Sequence, residues 1–297
     1  MRHVVVTLVI ALAAQGASAQ GASAQSPPNT DIYLAPLKMT AAGRVVGPFV
    51  NITTRPGYDN QPSFTPDGRS ILFTSVREDN QADIYRYDIA RAAITRVTST
   101  SESEYSPAVM PGGTRFSVIR VESDSTQRLW SFALDGSDPQ LVLSALKPAG
   151  YHAWIGHDDL ALFVLGRPNA LVHANVTTGI SDTLARDVGR SLSPLIDRTG
   201  FSFVQQRDSG NRVLKEMRWP SRATRDLVTL PRGTEDVAWV TPDEVLAGQG
   251  GKLLVWKRGS PVWTTLTDRS SAGLTNITRL AVSPDGKWLA VVAIPKP

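Results

Sequence analysis

The chain has 297 residues, 41 % hydrophobic and 20 % charged, with 23 Gly, 20 Pro and no Cys. These values exclude collagen-like, disordered and multi-span membrane chains, and the missing Cys excludes disulfides, thiolate metal sites, a Cys nucleophile and a Cys-linked lipid. Its 31 basic and 27 acidic residues give a net charge of +4, interspersed along the chain, so the charge pattern does not indicate a nucleic-acid partner.

Met1-Arg2-His3 is a short basic start, and Val4 to Ala14 is an apolar run of eleven residues. Ala17-Ser18-Ala19 and Ala22-Ser23-Ala24 follow as two small-residue cleavage sites in a tandem duplication. That order predicts a secretory signal peptide over 1–24 and a linker over 25–30. The apolar run is shorter than the about 20 residues a spanning helix needs, and no later stretch reaches that length. The expected mature chain is periplasmic or secreted, has no membrane span and is a monomer.

The body of the chain is one unit written six times. Gln61-Pro62-Ser63-Phe64-Thr65-Pro66-Asp67-Gly68 has a near copy at Ser106-Pro107-Ala108-Val109-Met110-Pro111-Gly112-Gly113. Weaker copies centre on Trp154, Leu195, Trp239 and Val282, and the six equivalent positions are 45, 45, 41, 44 and 43 residues apart. A period in that range is the mark of four-stranded propeller blades.

Within a unit, turn residues separate short strands. Pro66-Asp67-Gly68 precedes Ser70 to Ser75, a mostly apolar run suited to a strand covered on both faces. Asp83 to Asp88 then alternates strictly, as a half-buried strand does, and Ile94 to Thr98 closes the unit. The second unit repeats the order, and no segment carries a helical apolar period. The last unit offers only Arg279 to Val282 and Trp288 to Ala293 before the chain stops. Its outer strands are found at the other end. Asp31-Ile32-Tyr33-Leu34 imitates Asp83-Ile84-Tyr85-Arg86, and Val50-Asn51-Ile52-Thr53 imitates Arg96-Val97-Thr98. The expectation is an all-β, six-bladed β-propeller over 31–297, closed by N-terminal strands that complete the last blade. The blades fall at about 54–98, 99–143, 144–185, 186–230, 231–268 and 269–297 plus 31–53.

The run Pro62 to Ser75 together with Asp83-Ile84-Tyr85 resembles the WD40-like repeat of TolB-type propellers, as does Ser283-Pro284-Asp285-Gly286-Lys287-Trp288-Leu289-Ala290. The resemblance covers 31–297 and is clearest in the first, second and last units. It implies a periplasmic six-bladed propeller that works by binding other macromolecules. TolB carries an α/β domain ahead of its propeller. Here the leader runs almost directly into Asp31, so the resemblance carries the propeller alone.

Catalytic motifs are missing: there is no Gly-x-Ser-x-Gly elbow, His-Glu-x-x-His, phosphate loop or EF-hand loop. Gly248-Gln249-Gly250-Gly251 lies between two predicted strands and reads as a hairpin turn. No cofactor is expected. The leading ends of the innermost strands surround one mouth of a propeller's channel, where ligands usually bind. Aligning the units places Asp59, Asn60, Glu104, Tyr105, Tyr151, His152, Arg190, Ser191, Glu235, Asp236, Thr278 and Arg279 there. The expected function is a non-catalytic binding module for a protein or envelope polymer, using that mouth. The alternative is a small periplasmic hydrolase or lyase whose channel metal is held by Asp59, Glu104, His152 and Asp236. Arg190 and Arg279 in the same ring oppose a metal.

Overall fold

The computed structural model describes residues 27–41, 43–77, 80–207 and 210–295. The expected signal peptide lies on residues 1–26, outside the described residues. Five blades are contiguous four-stranded antiparallel meanders, each running outward from the central axis. Blade 1 comprises Tyr58–Phe64, Ser70–Val76, Ala82–Asp88 and Ala93–Arg96. Blade 2 comprises Ser103–Val109, Arg115–Val121, Gln127–Ala133 and Gln140–Leu143. Blade 3 comprises Ala149–Trp154, Asp159–Val164, Ala170–Asn175 and Ser181–Arg186. Blade 4 comprises Val188–Pro194, Gly200–Gln206, Arg212–Arg218 and Thr224–Thr229. Blade 5 comprises Val237–Thr241, Glu244–Gln249, Lys252–Lys257 and Thr264–Asp268. The only helical turn among the described residues is Ser270–Ala272, and none of their helices is long and apolar enough to cross a membrane.

The turn chemistry behaves as its residues dictate. In the first unit Asp67 Oδ1 accepts from the Arg69 amide (3.0 Å) and the Thr65 hydroxyl (2.6 Å), while Gly68 takes φ 68°. In the last unit Asp285 Oδ1 accepts from the Lys287 amide (3.1 Å) and the Ser283 hydroxyl (2.6 Å), with Gly286 at φ 69°. Only glycine adopts that conformation without strain. These turns aim the second strand of each blade into the interior, where both its faces are covered. Ile71 and Phe73 of blade 1 meet Ile32 and Val292 of the closing blade in one apolar layer. Phe116 and Phe132 of blade 2 stack at 5.7 Å and meet Leu72 and Ile84 of blade 1 in the next. The core is therefore a set of apolar layers between neighbouring blades, each fully buried large side chain contributing about 1.5–3 kcal/mol.

The sixth blade joins both ends of the chain. Thr275–Val282 is innermost and Trp288–Ile294 second, followed by the N-terminal Asp31–Thr40, with Val50–Asn51 paired outside it. The register runs from Asp31 opposite Ala293 to Pro36 opposite Trp288. The likeness between Asp31-Ile32 and Asp83-Ile84 extends to individual bonds. The Ile32 amide donates to Thr53 Oγ1 (3.1 Å) as the Ile84 amide donates to Thr98 Oγ1 (2.8 Å). Asp31 Oδ2 accepts from Asn51 Nδ2 (2.6 Å), and Asp83 Oδ2 accepts from Arg96 Nη2 (2.6 Å). One feature is additional to the sequence expectation. The N-terminal strand continues past Leu34 to Thr40 and turns back through Gly43–Val46. This hairpin forms because Leu37 and Val46 pack onto Val240, Leu246 and Val255 of blade 5. Both Nε and Nη2 of Arg44 donate to Glu244 Oε2 (2.9 and 2.6 Å), fixing the hairpin to that blade.

Closure makes a specific demand on Ile32, which is fully buried between blades. Ile32→Ala should cost about 2–5 kcal/mol in a denaturant melt with unchanged m-value, because an inter-blade cavity opens. Val50→Ala, at a position 60 % exposed on the same blade, should stay within about 0.5 kcal/mol. Equal effects would contradict this packing.

Candidate functional site

The innermost strands of all six blades enclose a channel cavity of about 480 Å³ along the axis. Gln61, Ser106, Tyr151, Arg190, Asp236 and Arg279 line its wall, one from each blade. Gln61 and Ser106 occupy bulges with φ 58° and 54°, and Gln61 Oε1 accepts from the Ser106 amide (2.8 Å), tying two neighbouring bulges together. A second cavity, about 310 Å³, opens beside the mouth across blades 2, 3 and 4. Tyr58, Tyr105, Tyr151 and Phe163 line it together with Arg190, Arg212 and Glu235.

The mouth is bound together by charge. Arg190 Nη2 lies 2.8 Å from Asp236 Oδ2, and Arg190 Nη1 lies 3.3 Å from Glu235 Oε2. Arg279 Nη1 is 3.8 Å from Asp236 Oδ1, while its Nη2 donates to the Tyr151 hydroxyl at 2.8 Å. Its guanidinium carbon also sits 4.9 Å from the Tyr151 ring centre, a cation–π distance. Burial works against the Arg190 charge, but Asp236, Tyr151 and Glu235 outweigh it and hold its pKa above the usual arginine value. Burial raises the Tyr58 hydroxyl and pushes Tyr105 up to about 12, so both remain protonated donors at neutral pH. Arg190, Arg212 and Arg279 thus face two carboxylates, Glu235 and Asp236, and one positive charge remains.

Of the residues aligned to the mouth, Tyr105, Tyr151, His152, Arg190, Ser191, Glu235, Asp236 and Arg279 line one or both cavities. Thr278, Asp59, Asn60 and Glu104 line neither. Asp59 and Glu104 have no exposed surface. Asp59 accepts from Arg55 Nη1 (3.2 Å), and burial raises its pKa despite Ser75 and the Arg55 and Arg77 charges. Asn60 Oδ1 accepts from the Gln61 amide (2.8 Å), shaping the bulge. Glu104 accepts from the Thr100 hydroxyl and lies 3.6 Å from Arg120 Nε. Asp59, Asn60 and Glu104 are thus held by neighbours in or just before their own strands. The four candidate metal ligands consequently do not converge, and no group of three His, Asp or Glu among the described residues could hold a metal.

His152 is built into the wall. Its Nε2 is 2.7 Å from Ser117 Oγ, which also accepts from Trp154 Nε1 (2.9 Å) and donates to the Ala108 carbonyl (3.2 Å). With the Ser117 proton on the Ala108 carbonyl, His152 Nε2–H donates to Ser117 and Nδ1 is left without a partner. Burial pushes the imidazole down to about 4, so it is neutral at pH 7. Ser117 itself is fully buried and is not an accessible nucleophile. Trp239 repeats the device, donating from Nε1 to Ser202 Oγ at 2.8 Å.

No family model matches the chain. Among solved structures, the "putative TolB" from Agrobacterium tumefaciens superposes with a TM-score of 0.70 at 15 % identity, covering 90 % of this chain and 99 % of that one. The TolB structure from Acinetobacter baumannii gives 0.61 at 10 % identity, with 89 % of this chain and 64 % of that chain covered. The fold is that of a TolB-like propeller. An oligogalacturonate lyase from Vibrio parahaemolyticus also aligns, at 0.52 and 10 % identity over 91 % of this chain and 99 % of that one. A TolB-like ring and a lyase share the architecture, so it leaves function to the site.

Sequence alignment missed Arg212, Phe163 and Ser117. The first two were findable: in an up-and-down meander the loops between second and third strands lie on the same face as the leading ends of the innermost strands. Ser117 gave no signal, because its role depends on two side chains from the neighbouring blade.

Two stability measurements check this site. Ser117→Ala strands two buried N–H donors and Ser202→Ala strands one, at about 1–3 kcal/mol each, so Ser117→Ala should be the more damaging change. Equal losses would contradict the shared acceptor. Burial pushes Glu104 up to about 7 from its ordinary 4.5, despite hydrogen bonds from Thr100 and Thr98 and the Arg120 charge; Asp83 adds to the rise. A raised folded-state pKa gives stability that is full below about 4.5 and lost as pH climbs through 7, on the order of 2–3 kcal/mol. The advantage of Glu104→Gln over the parent protein should therefore grow between pH 5 and pH 8. A pH-independent difference would contradict it.

Proposed function

We propose that the chain is an exported, non-catalytic binding module whose channel mouth receives an acidic segment of a protein or envelope-polymer partner. The observation that supports this most is the mouth's composition. Three guanidiniums and two carboxylates surround a wall of protonated tyrosines and a neutral imidazole. An excess positive charge over a preformed cavity steers and orients an anionic partner. A metal-dependent hydrolase or lyase has less support, since Asp59, Glu104, His152 and Asp236 each answer to a different protein group.

A photo-crosslinking residue at Gln61, on the wall of both cavities, and another at Arg91, in the turn between Ala82–Asp88 and Ala93–Arg96 on the far face, would test this in native envelope fractions. The reading predicts an adduct from Gln61 only. It should weaken at least tenfold with added salt or in an Arg279→Glu background, which turns the excess charge negative. An adduct from Arg91 alone, or one indifferent to Arg279→Glu, would overturn the reading. So would turnover of a polymer by the purified protein that is lost in His152→Ala.

A further inference from the structure

The 310 Å³ cavity beside the mouth has a use that the channel reading does not need. Its size is at the lower end of the about 300–1,000 Å³ typical of small-molecule sites. One side is aromatic, with the Tyr151 and Phe163 rings 5.7 Å apart at 59° and Tyr105 nearby. Val188 and Val204 add aliphatic surface. Rings tilted against branched side chains form a slot for one apolar group. The other end is polar, with Glu235 held between two guanidiniums. Its Oε1 is 2.7 Å from Arg212 Nη2, and its Oε2 is 3.3 Å from Arg190 Nη1. Arg190 is further neutralised by Asp236, whereas Glu235 is Arg212's only ion-pair partner among the described residues. Nε and Nη1 of Arg212 donate to no described protein group, which leaves N–H donors for an oxygen of an anionic ligand.

We propose that this cleft binds a monocarboxylate with an apolar, ring-sized body, the carboxylate on Arg212 and the body against Tyr105 and Phe163. Of the charged side chains that line the cleft, Arg190 and Arg212 stand against Glu235 alone, which argues for an anionic group rather than a cation. The same chemistry is presented by a free organic acid and by the C-terminal residue of a peptide. The site shares Arg190, Arg212 and Glu235 with the mouth, but its test needs no macromolecular partner and leaves Arg279 untouched, so its failure and that of the channel reading are distinguishable.

The test is calorimetric titration of the full chain with 3-phenylpropionate and N-acetyl-L-phenylalanine, each beside its neutral amide. Both acids should bind saturably and at least tenfold more tightly than the amides. Tighter binding of N-acetyl-L-phenylalanine points to a peptide terminus, and equal binding to a free acid. Arg212→Gln should weaken the acids at least tenfold and leave the amides unchanged. Gly189→Leu should block every probe by filling the cleft; a Cβ there meets only Val204, at 3.6 Å, an ordinary contact, so the melting temperature should hold. Acids that fail to saturate at millimolar concentration, amides that match them, or indifference to Arg212→Gln would overturn the proposal.

Discussion

The pairing of Asp31–Pro36 with Trp288–Ala293 is the constraint on which the rest of the molecule depends. A ring of twisted sheets left open would expose two edges and the apolar faces between its first and last blades. With no cysteine, nothing covalent can hold those faces together. Six residue pairs, the Asp31–Asn51–Thr53 cluster and the layer joining Ile32 and Val292 to Ile71 and Phe73 do so. The Leu37–Val46 hairpin and its Arg44–Glu244 pair extend the same N-terminal segment onto blade 5. One stretch of chain thus holds together three of the six blades.

Closure also sets the electrostatics of the mouth. Arg190 belongs to blade 4, Glu235 and Asp236 lead into blade 5, Arg279 belongs to blade 6 and Tyr151 to blade 3. Arg279 and Tyr151, from non-adjacent blades, come to 2.8 Å only because the ring brings those blades to one axis. Arg279 reaching Tyr151 across the channel spans 128 residues of sequence. The charges are paired but not balanced, which leaves a rigid and mildly positive aperture. Rigid wall elements such as Ser117–His152–Trp154 keep its shape independent of pH above the low imidazole pKa.

Much of the fold was legible because the signals are local and repeated. The period of the Pro-Asp-Gly turns, the alternation at Asp83–Asp88 and the echo of Asp83-Ile84 in Asp31-Ile32 each have a physical cause inside one blade. The hairpin after Leu34 was not legible, since its reason to form lies in blade 5. At the site, aligning the units gathers residues that the ring sorts into different places. Tyr151, Arg190, Asp236 and Arg279 line the channel, while Asp59, Asn60 and Glu104 line neither cavity. Side chains from neighbouring blades, such as Arg212 and Phe163, share a cavity only once those blades pack.

Native-state amide hydrogen exchange across the ring is the most direct measurement of closure as the governing constraint. The account predicts that amides of Asp31–Ala35 exchange together with those of Trp288–Ala293 and the buried Ile71–Ser75 strand, at the free energy of global unfolding. Exchange of Asp31–Ala35 by local fraying, orders of magnitude faster than the interior strands while the other blades stay protected, would contradict it.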